Sequence, residues 1–499
     1  MKESFFLKAK RIDISTGYPW IVVLHEKDAE HFGIRAGDEL VLKWQKRETE
    51  VTVDITSTLV KQGQIGLIRD ILQKYRIRKN KLLELKLAGR PVSIKAIQKK
   101  LLGKKLNYKE IFSIISDVVY YRLTEIEIAF FVASAFGNRF SQEEIYYLTK
   151  AMSQASGTLN FGHLVADKHS TGGLPGNRVT PIIVAIVASY KICIPKTSSR
   201  AVTSAAGTAD TFEVLAPVEL KITEIKKIVK GAGACLVWGG TLNLAPADDR
   251  FIKVSFELGV EPYIKMVVSV MAKQVAMGIT HLIIDIPVGP TTKIPRLKTA
   301  KKIKKLFLYL ARRFNIKTKV LIHQSSGPVG RGIGPALEAR DILRVLQQKE
   351  SRPRDLEEKS IWLAGHLLEL VGKAKRGTGS YLARKSLVNG QAWKKMQEII
   401  KAQGGNPKID SEEIKLGKIT YQLKAKKDGR IISIHNKNLV EICRLLGAPG
   451  IKQAGIYLNK IIGESIKKRE VLYTLRTVSR QRLSLALKAL KRIEIYKIK

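Results

Sequence analysis

The spacing of hydrophobic residues divides the chain into segments of different type. Near the N-terminus the apolar stretches are short, β-branched and bounded by turn residues, which predicts strands at 20–24, 39–44 and 50–55. From 108 to 152 the apolar residues recur at helical spacing instead. Ser141 and Glu144 have the three-residue separation of a helix-capping box. The pattern therefore predicts a β-rich domain followed by a helical one.

From about residue 164 onward, strand-like and helix-like runs alternate, which is typical of parallel βαβ units. Several of the strand-like runs end in loops rich in Gly, Ser and Thr. Ligands of such sheets bind beyond the carboxyl ends of the strands. The predicted strands are 162–166, 234–238, 281–287 and 319–323, then 429–434 and 471–477 in a last unit whose final helix is 480–492.

The expected fold is multidomain α/β, and a chain of 499 residues has room for about three domains. The order is a small β-rich N-terminal domain, a helical domain, a central mostly parallel α/β sheet domain that binds phosphate, and a C-terminal α+β domain. Their expected bounds are 1–85 for the β-rich domain, 86–160 for the helical domain (completed by about 250–278), 161–345 for the α/β domain (interrupted by 250–278), 346–424 for a helical or α/β continuation, and 425–499 for the α+β domain.

Composition adds a strong positive charge, formally +44. Such a field attracts phosphate-bearing ligands and permits weak, non-specific binding of nucleic acid. The lysines are scattered over helix-like segments without interleaved aromatic residues, so a solvated surface is the favoured interpretation.

The N-terminus lacks the apolar core of a signal peptide, and the longest apolar stretch, 181–190, is about half of a bilayer span. Cys193, Cys235 and Cys443 are far apart, which fits neither a disulfide framework nor a zinc site. We expect a cytoplasmic protein without contact to a membrane.

Two loops carry the candidate chemistry. The first, 167–178, reads DKHSTGGLPGNR, and its glycines let backbone N–H groups approach a ligand while Lys168 and Ser170 supply charge and a hydroxyl. The second, 195–210, reads PKTSSRAVTSAAGTAD and holds six Ser or Thr hydroxyls beside Lys196 and Arg200. Each could also be an ordinary turn or a solvated loop. Together they favour a site for bound phosphate.

Other candidates are weaker. The glycines of 327–334 do not have the spacing of a dinucleotide-binding loop. Asp248 and Asp249 could suggest magnesium, but Asp248 is more typical of a helix cap, so no metal is expected. His163, His281 and His323 lie in strand-like apolar runs and are interpreted as satisfied core histidines.

The runs DKHSTGG and KTSSRAVTSAAGTADTFEVLAP resemble the thymidine/pyrimidine-nucleoside phosphorylase family. The resemblance covers nearly the whole chain and is strongest to the long subgroup that contains archaeal AMP phosphorylases and bacterial type 2 putative thymidine phosphorylases. The loop 328–341 favours the bacterial type 2 pattern.

The resemblance implies a catalytic role for His169 and Lys273 at the base and for Glu261 as the acid. Ser269 and Lys273 are four residues apart and would share one helix face. The implied phosphate cradle is Lys168, Ser170, Ser198 or Ser199, and Thr208. The implied nucleotide contacts are Gly173, Arg200, Ala201, Val202, Thr203, Ser204, Ser269 and Lys293.

The activity implied first is phosphorolysis of thymidine or a related pyrimidine nucleoside, giving free base and (deoxy)ribose 1-phosphate. Two alternatives stay open: phosphorolysis of AMP to base and ribose 1,5-bisphosphate, and non-catalytic RNA binding. For the enzymatic readings, phosphate is a co-substrate, no cofactor is required, and the resemblance implies a homodimer or larger homo-oligomer.

Overall fold

The computed structural model describes residues 4–16, 20–45, 47–87, 91–134, 140–155, 158–201, 204–240, 242, 245–257 and 263–499. These residues form two compact units. The first contains the chain as far as Ala155 together with the helix Pro246–Glu257, and the second contains the described residues from 158 to 245 and from Tyr263 to Lys499.

The first unit begins with a closed β-barrel. Its strands are β1 Ser4–Arg11, β2 Ile21–His25, β3 Glu39–Trp44, β4 Arg47–Thr56, β5 Gln64–Leu67 and β6 Leu82–Leu87, with α1 Glu26–Phe32 and α2 Arg69–Tyr75 between them. The strand order around the barrel is β1-β5-β2-β4-β3-β6. Every second residue of β3 (Leu40, Leu42 and Trp44) is buried, which is the period-2 pattern of a strand with one face in a core.

Helices complete the first unit: α3 Ser93–Leu101, α4 Tyr108–Val119, α5 Glu125–Ala133, α6 Gln142–Gln154 and, later in the chain, α10 Pro246–Glu257. The predicted capping box is present, since Ser141 N–H donates to the Glu144 carboxylate at 2.8 Å. Glu144 also accepts a hydrogen bond from the buried Lys100 ammonium at 2.6 Å. This carboxylate therefore caps α6 and holds α3 against it.

Five parallel strands form the central sheet of the second unit. They are β7 Ala166–Ser170, β8 Ile194–Ser198, β9 Ala234–Trp238, β10 His281–Val288 and β11 Lys317–Gln324. The pairings β11-β10-β7 and β8-β9 are parallel, and a bridge between Val165 and Cys193 connects the two groups. All five strands therefore direct their carboxyl ends to one edge, called the carboxyl edge below.

Helices surround this sheet: α7 Val179–Ser189, α8 Thr208–Phe212, α9 Ile222–Ala232, α11 Tyr263–Ala276, α12 Leu297–Arg313, α13 Pro335–Leu346, α14 Arg354–Leu370, α15 Gly379–Val388 and α16 Gln391–Ala402. Ten consecutive residues of α7, from Val179 to Ala188, are buried. A helix that is apolar on all sides fits such a central position. It packs against α14 and α16 in the main core of the unit.

The C-terminal part contains β12 Gly332–Ile333, β13 Ile419–Lys424, β14 Gly429–Ile434, α17 Asn436–Leu446, β15 Gly455–Leu458, β16 Ser465–Ile466, β17 Val471–Thr477, α18 Arg480–Leu490 and β18 Tyr496–Ile498. Its larger sheet has the order β12-β15-β17-β13. Because β12 lies in the predicted loop 328–341, that loop connects the carboxyl edge to the C-terminal sheet.

The mixed, multidomain α/β prediction is confirmed, and several strands match in detail. The main differences concern bounds. The run predicted as the strand 162–166 lies almost wholly before β7, whose residues include the buried charges Asp167 and Lys168. The second candidate loop begins as β8, a strand that the sequence did not predict. Of the predicted return segment 250–278, α10 lies in the first unit and α11 in the second.

Three further expectations can be compared with the described residues. His163 is exposed, so its interpretation as a core histidine is wrong. The three cysteines are unpaired, and burial raises the pKa of the Cys193 thiol to about 11. Within the described ranges, no helix is long and apolar enough to cross a membrane.

Candidate active site at the carboxyl edge of the sheet

The two candidate loops meet at the carboxyl edge. The first follows β7 and the second follows β8, and a buried ion pair joins these strands, with the Lys196 ammonium 2.8 and 2.9 Å from the Asp167 carboxylate oxygens. The guanidinium of Arg178, at the end of the first loop, also donates to the carbonyl oxygen of Ala206 in the second. The sequence prediction that both loops contribute to one region therefore agrees with these contacts.

Gly173 allows the first loop to pack tightly. Its φ of +91° belongs to a region that L side chains rarely adopt, and a Cβ there would lie 2.5 Å from the backbone N of Lys293. Lys293 belongs to the loop after β10. Because Gly173 has no side chain, the loop after β7 can pack against the loop after β10. The two residues at this contact, Gly173 and Lys293, are both predicted ligand contacts.

Lys168 is buried, with 2% of its surface exposed, and its ammonium lies 3.7 Å from the Asp285 carboxylate. Burial lowers the pKa of Lys168 to about 8, because the attraction of Asp285 offsets the loss of water only in part and the nearby cations Lys359 and Lys196 oppose protonation. This lysine is thus charged at neutral pH, but it loses its proton under mildly alkaline conditions.

Asp285 is the centre of a polar network that the sequence analysis missed. The Ser170 hydroxyl donates to Oδ2 of Asp285 at 3.1 Å, the Lys359 ammonium lies 3.8 Å from the same oxygen, and His323 Nε2 is 2.7 Å from Oδ1. Burial alone would raise the pKa of Asp285, but Lys359, Lys168 and His323 hold it well below its ordinary value.

His323 was interpreted as a satisfied core histidine, and the structure corrects this: its side chain is 22% exposed and pairs with a buried carboxylate. A signal was present in the sequence. Asp285 is a lone acid inside the apolar run HLIIDIPV, and a buried charge requires partners.

The His169 ring occupies a cationic environment. Burial and the charges of Lys196, Lys168, Lys273 and Lys293 hold its pKa well below the ordinary value, so the imidazole is neutral at physiological pH. The structure thereby brings the predicted residues His169, Lys273 and Lys293 into one electrostatic neighbourhood. A neutral imidazole can donate one hydrogen bond and accept another.

Ser269 and Lys273 lie on α11, one turn apart. Both are partly exposed, whereas Val268, Val270 and Ala272 beside them are buried. The two polar side chains therefore share the open face of a helix that is otherwise packed into the second unit, as their four-residue spacing predicts.

Asp210 organises the second loop. Its Oδ2 accepts backbone hydrogen bonds from Ala201 at 2.7 Å and from Gly207 at 2.8 Å. The Arg200 guanidinium bonds Asp210, Glu213 and Glu219 at 2.7–3.2 Å, and the hydrogen bonds to Glu213 and Glu219 raise its pKa. Arg200 thus braces the loop through carboxylates.

The remaining predicted residues divide into two groups. Ser198 ends β8, with its hydroxyl 3.3 Å from the Val237 carbonyl, Ser204 donates to Ala206 at 2.9 Å, and Thr208 opens α8 next to this loop. Ser199 accepts a backbone hydrogen bond from Ala209 at 3.4 Å. The second group, Val202, Thr203 and Glu261, lies outside the described residues. Which of these groups touch a substrate stays a prediction.

A metal site has no support in the described part of the chain, where no three His, Cys, Asp or Glu side chains are grouped to hold an ion. Asp248 lies in the first turn of α10, where acidic residues favour the helix dipole, and it is buried. That no metal takes part in the reaction stays a prediction.

Two sequence models of one family match the chain. The α/β domain of the glycosyl transferase family matches residues 162–393, and its helical bundle domain matches residues 94–156. A protein named AMP phosphorylase from Methanothrix thermoacetophila is 40% identical over 93% of this chain and 90% of its own length. The AMP phosphorylases of Methanocaldococcus jannaschii and Pyrococcus furiosus are each 41% identical, over 97% and 98% of this chain and 95% and 97% of their own.

The chain belongs to this glycosyl transferase family. It is accordingly a pentosyltransferase of the phosphorylase kind, as the sequence predicted at that level. Among solved structures, the anthranilate phosphoribosyltransferase of Thermus thermophilus superimposes with a TM-score of 0.53 at 18% identity, covering 62% of this chain and 99% of that one, which supports the fold alone.

The comparison with these glycosyl transferase relatives corrects the substrate expected first. Thymidine phosphorolysis was favoured because the loop 328–341 resembles the bacterial type 2 pattern. The curated relatives that match nearly end to end are named for AMP instead. The thymidine assignment is therefore wrong, because it rested on one loop, whereas the similarity to proteins named AMP phosphorylase extends over nearly the whole chain.

Proposed function

We propose that this pentosyltransferase is an AMP phosphorylase, which converts AMP and inorganic phosphate into adenine and ribose 1,5-bisphosphate. The observation that carries the proposal is the similarity, at about 40% identity over more than nine-tenths of the chain, to proteins named AMP phosphorylase. The site adds support, because it concentrates lysines around a small polar cradle, as two phosphate-bearing reactants require.

Phosphate is the nucleophile in the proposed reaction. One of its oxygens forms a bond to C1′ of the ribose while the bond from C1′ to the adenine nitrogen breaks and leaves its electron pair on the base. Lys168, Ser170, Ser198 or Ser199, and Thr208 hold the phosphate. Because the Ser170 hydroxyl donates a hydrogen bond to Asp285 in the free enzyme, it must turn toward the phosphate oxygen on binding.

The departing base gains negative charge, and donors placed at that charge lower the barrier. His169 serves this role as a neutral hydrogen-bond donor, since its pKa is held well below the physiological range. Lys273 supplies positive charge from α11, and Glu261 is proposed to protonate the base. Each such donor contributes about 2.7–4 kcal/mol to the transition state, by analogy with oxyanion holes.

Selection of a nucleotide over a nucleoside requires groups that bind the 5′-phosphate. Lys293 and the backbone at Gly173 are proposed for this role, because they pack together and Lys293 brings a cation to this glycine turn. Ser269 and the loop from Arg200 to Ser204 complete the nucleotide contacts. A homodimer or larger homo-oligomer, with no cofactor besides the co-substrate phosphate, is part of the same proposal.

The test is phosphate-dependent release of free base. AMP, adenosine, thymidine, uridine and cytidine are each incubated with the enzyme with and without phosphate, and adenine or the other base is measured by chromatography. Release of adenine from AMP, at least about tenfold faster than any release from adenosine, supports the proposal. Release of thymine without release of adenine would overturn it.

A variant sharpens the assignment of the 5′-phosphate. Lys293→Gln should lower kcat/KM for AMP and reduce the preference for AMP over adenosine. Lys317→Gln is the matched control, because it removes the same charge at the exposed first residue of β11, which lies at the opposite edge of the sheet. Equal effects of the two substitutions would contradict the role of Lys293.

A further inference from the structure

The Asp285 carboxylate of β10 contacts side chains from β7, β11 and α14. Oδ2 faces β7, through the Ser170 hydroxyl at 3.1 Å and the Lys168 ammonium at 3.7 Å. Oδ1 faces β11, through His323 Nε2 at 2.7 Å. Lys359 of α14 lies 3.8 Å from Oδ2. Three separate elements therefore converge on one side chain that has no exposed surface.

This arrangement determines which direction the carboxylate can face. The short hydrogen bond with His323 occupies Oδ1, so Oδ2 is left toward Ser170 and the lysines. In the sheet, Asp285 is also the direct neighbour of Ser170, since the two residues pair in the parallel register of β7 and β10. A carboxylate held in this way cannot follow a ligand, but it can orient the groups that do.

We propose that Asp285 is a positioning residue for phosphorolysis, which keeps Lys168 charged and aimed at the incoming phosphate, while His323 and Lys359 hold Asp285 in place. The inference rests on the proposed function and deepens it at the phosphate side. Asp285 itself touches neither substrate in this assignment.

The electrostatics predict a sign for each partner. Lys168 is faced by Asp285 on β10, Lys359 on α14, Lys196 on β8 and Asp167 on β7. Asp285 raises its pKa and Lys359 lowers it, with a result of about 8. Phosphate binding requires the protonated ammonium, so phosphate affinity should fall as the pH rises through about 8. Removal of Asp285 should move this fall to lower pH, and removal of Lys359 should move it to higher pH.

The experiment measures kcat/KM for phosphate between pH 6 and pH 9.5 at saturating AMP, with the full-length enzyme. Asp285→Asn keeps the shape and removes the charge, and Lys359→Gln removes the opposing cation. Asp428→Asn is the matched control, at an exposed acid that accepts a backbone hydrogen bond from Lys468 in the C-terminal part. Titration of phosphate itself is common to all variants and cancels in the comparison. Circular dichroism establishes that each variant is folded.

We expect the alkaline limb of Asp285→Asn to move down by about one pH unit or more, which is about tenfold in affinity at a fixed alkaline pH. The KM for AMP should change less than about twofold. Lys359→Gln should move the limb in the opposite direction, and Asp428→Asn should leave it in place. If Asp285→Asn does not fold, the upward shift in Lys359→Gln decides the question.

A loss of activity in Asp285→Asn that is equal at every pH, or unmoved limbs in both variants, would overturn the positioning role. Failure of the proposed function looks different, because the unmodified enzyme would then release no adenine from AMP and phosphate. An acid-side shift with a parallel rise in the KM for AMP would also count against the inference, since it would indicate a general distortion of the carboxyl edge.

Discussion

The two loops at the carboxyl edge differ in how many acidic partners surround their principal cation, and the pKa values of the two cations shift in opposite directions. In the first loop region, Lys168 is buried among other lysines with one carboxylate 3.7 Å away, and its pKa is lowered to about 8. In the second, Arg200 is surrounded by three carboxylates and its pKa is raised. A cation short of negative partners favours an anionic ligand, whereas a cation already paired stabilises its own loop. In the sequence, both residues are simply basic side chains in segments rich in Gly, Ser and Thr.

The strongest test of this contrast is the removal of the Lys168 charge. Lys168→Met, which keeps most of the volume, should lower phosphorolysis by about 100- to 1000-fold, because a charge placed at the phosphate in a water-poor site is worth several kcal/mol. The rate of adenine release measures the loss, and the melting temperature should stay close to that of the unmodified protein. Near-normal turnover would remove Lys168 from the phosphate site.

The second prediction concerns the packing that supports the first loop. Gly173→Ala brings a Cβ to 2.5 Å from Lys293 N at a φ of +91°, so the loop must shift, and we expect about a 100-fold loss of activity from misplaced ligand groups. Gly162→Ala is the control, because Gly162 also has a positive φ (+115°) but has open space around it. If both variants lose activity equally, backbone strain explains the effect and the contact with Lys293 does not.

Arg200 should matter more for stability than for chemistry. Arg200→Ala is expected to lower the melting temperature clearly and the turnover by less than about tenfold, since only its own loop loses its brace. Arg384→Ala is a matched control: Arg384 makes an exposed bidentate pair with Glu358, and such pairs contribute little. A loss of turnover equal to that of Lys168→Met would abolish the distinction between the two loops.

The pH dependence of this stability has a definite sign. The hydrogen bond from Arg200 lowers the pKa of Glu213 to about 2 from an ordinary value of 4.5, with a further contribution from Lys452. A depressed carboxyl pKa stabilises the fold above pH 4.5, and this stabilisation is lost as the pH falls toward 2. Differential scanning calorimetry should therefore show a smaller gap between the unmodified protein and Arg200→Ala at pH 3 than at pH 7.

The smallest effect is expected at Ser198. Its hydroxyl already lies 3.3 Å from the Val237 carbonyl, so Ser198→Ala should raise the KM for phosphate by less than about tenfold, the worth of one ordinary hydrogen bond. Ser189→Ala, at the C-terminal end of α7, removes a hydroxyl whose partners are the Ile186 carbonyl and the Ser386 hydroxyl, and it should leave the KM unchanged. If the KM for phosphate rises in both variants, the effect of Ser198→Ala reflects a change in folding and not a lost contact with phosphate.

Sequence patterns determined the elements wherever one rule applied locally. Short β-branched stretches bounded by turn residues specified β3 at Glu39–Trp44, an uninterrupted apolar run specified β9, and the Ser141–Glu144 spacing specified the start of α6. The two polar loops were recognisable for the same reason, because their glycines and hydroxyls are neighbours along the chain.

The tertiary structure alone decided where charges could be buried. Periodicity placed a strand at 162–166, since Asp167 and Lys168 look unsuited to a core, yet β7 includes both because Lys196 and Asp285 neutralise them there. The Asp285 network was invisible for the same reason. Ser170 is separated from Asp285 by 115 residues, and the other partners of Asp285 include His323 of β11 and Lys359 of α14. Ion pairs and hydrogen bonds form between groups that are close in space, and the local hydrophobic pattern of the sequence does not show which distant groups the fold brings together.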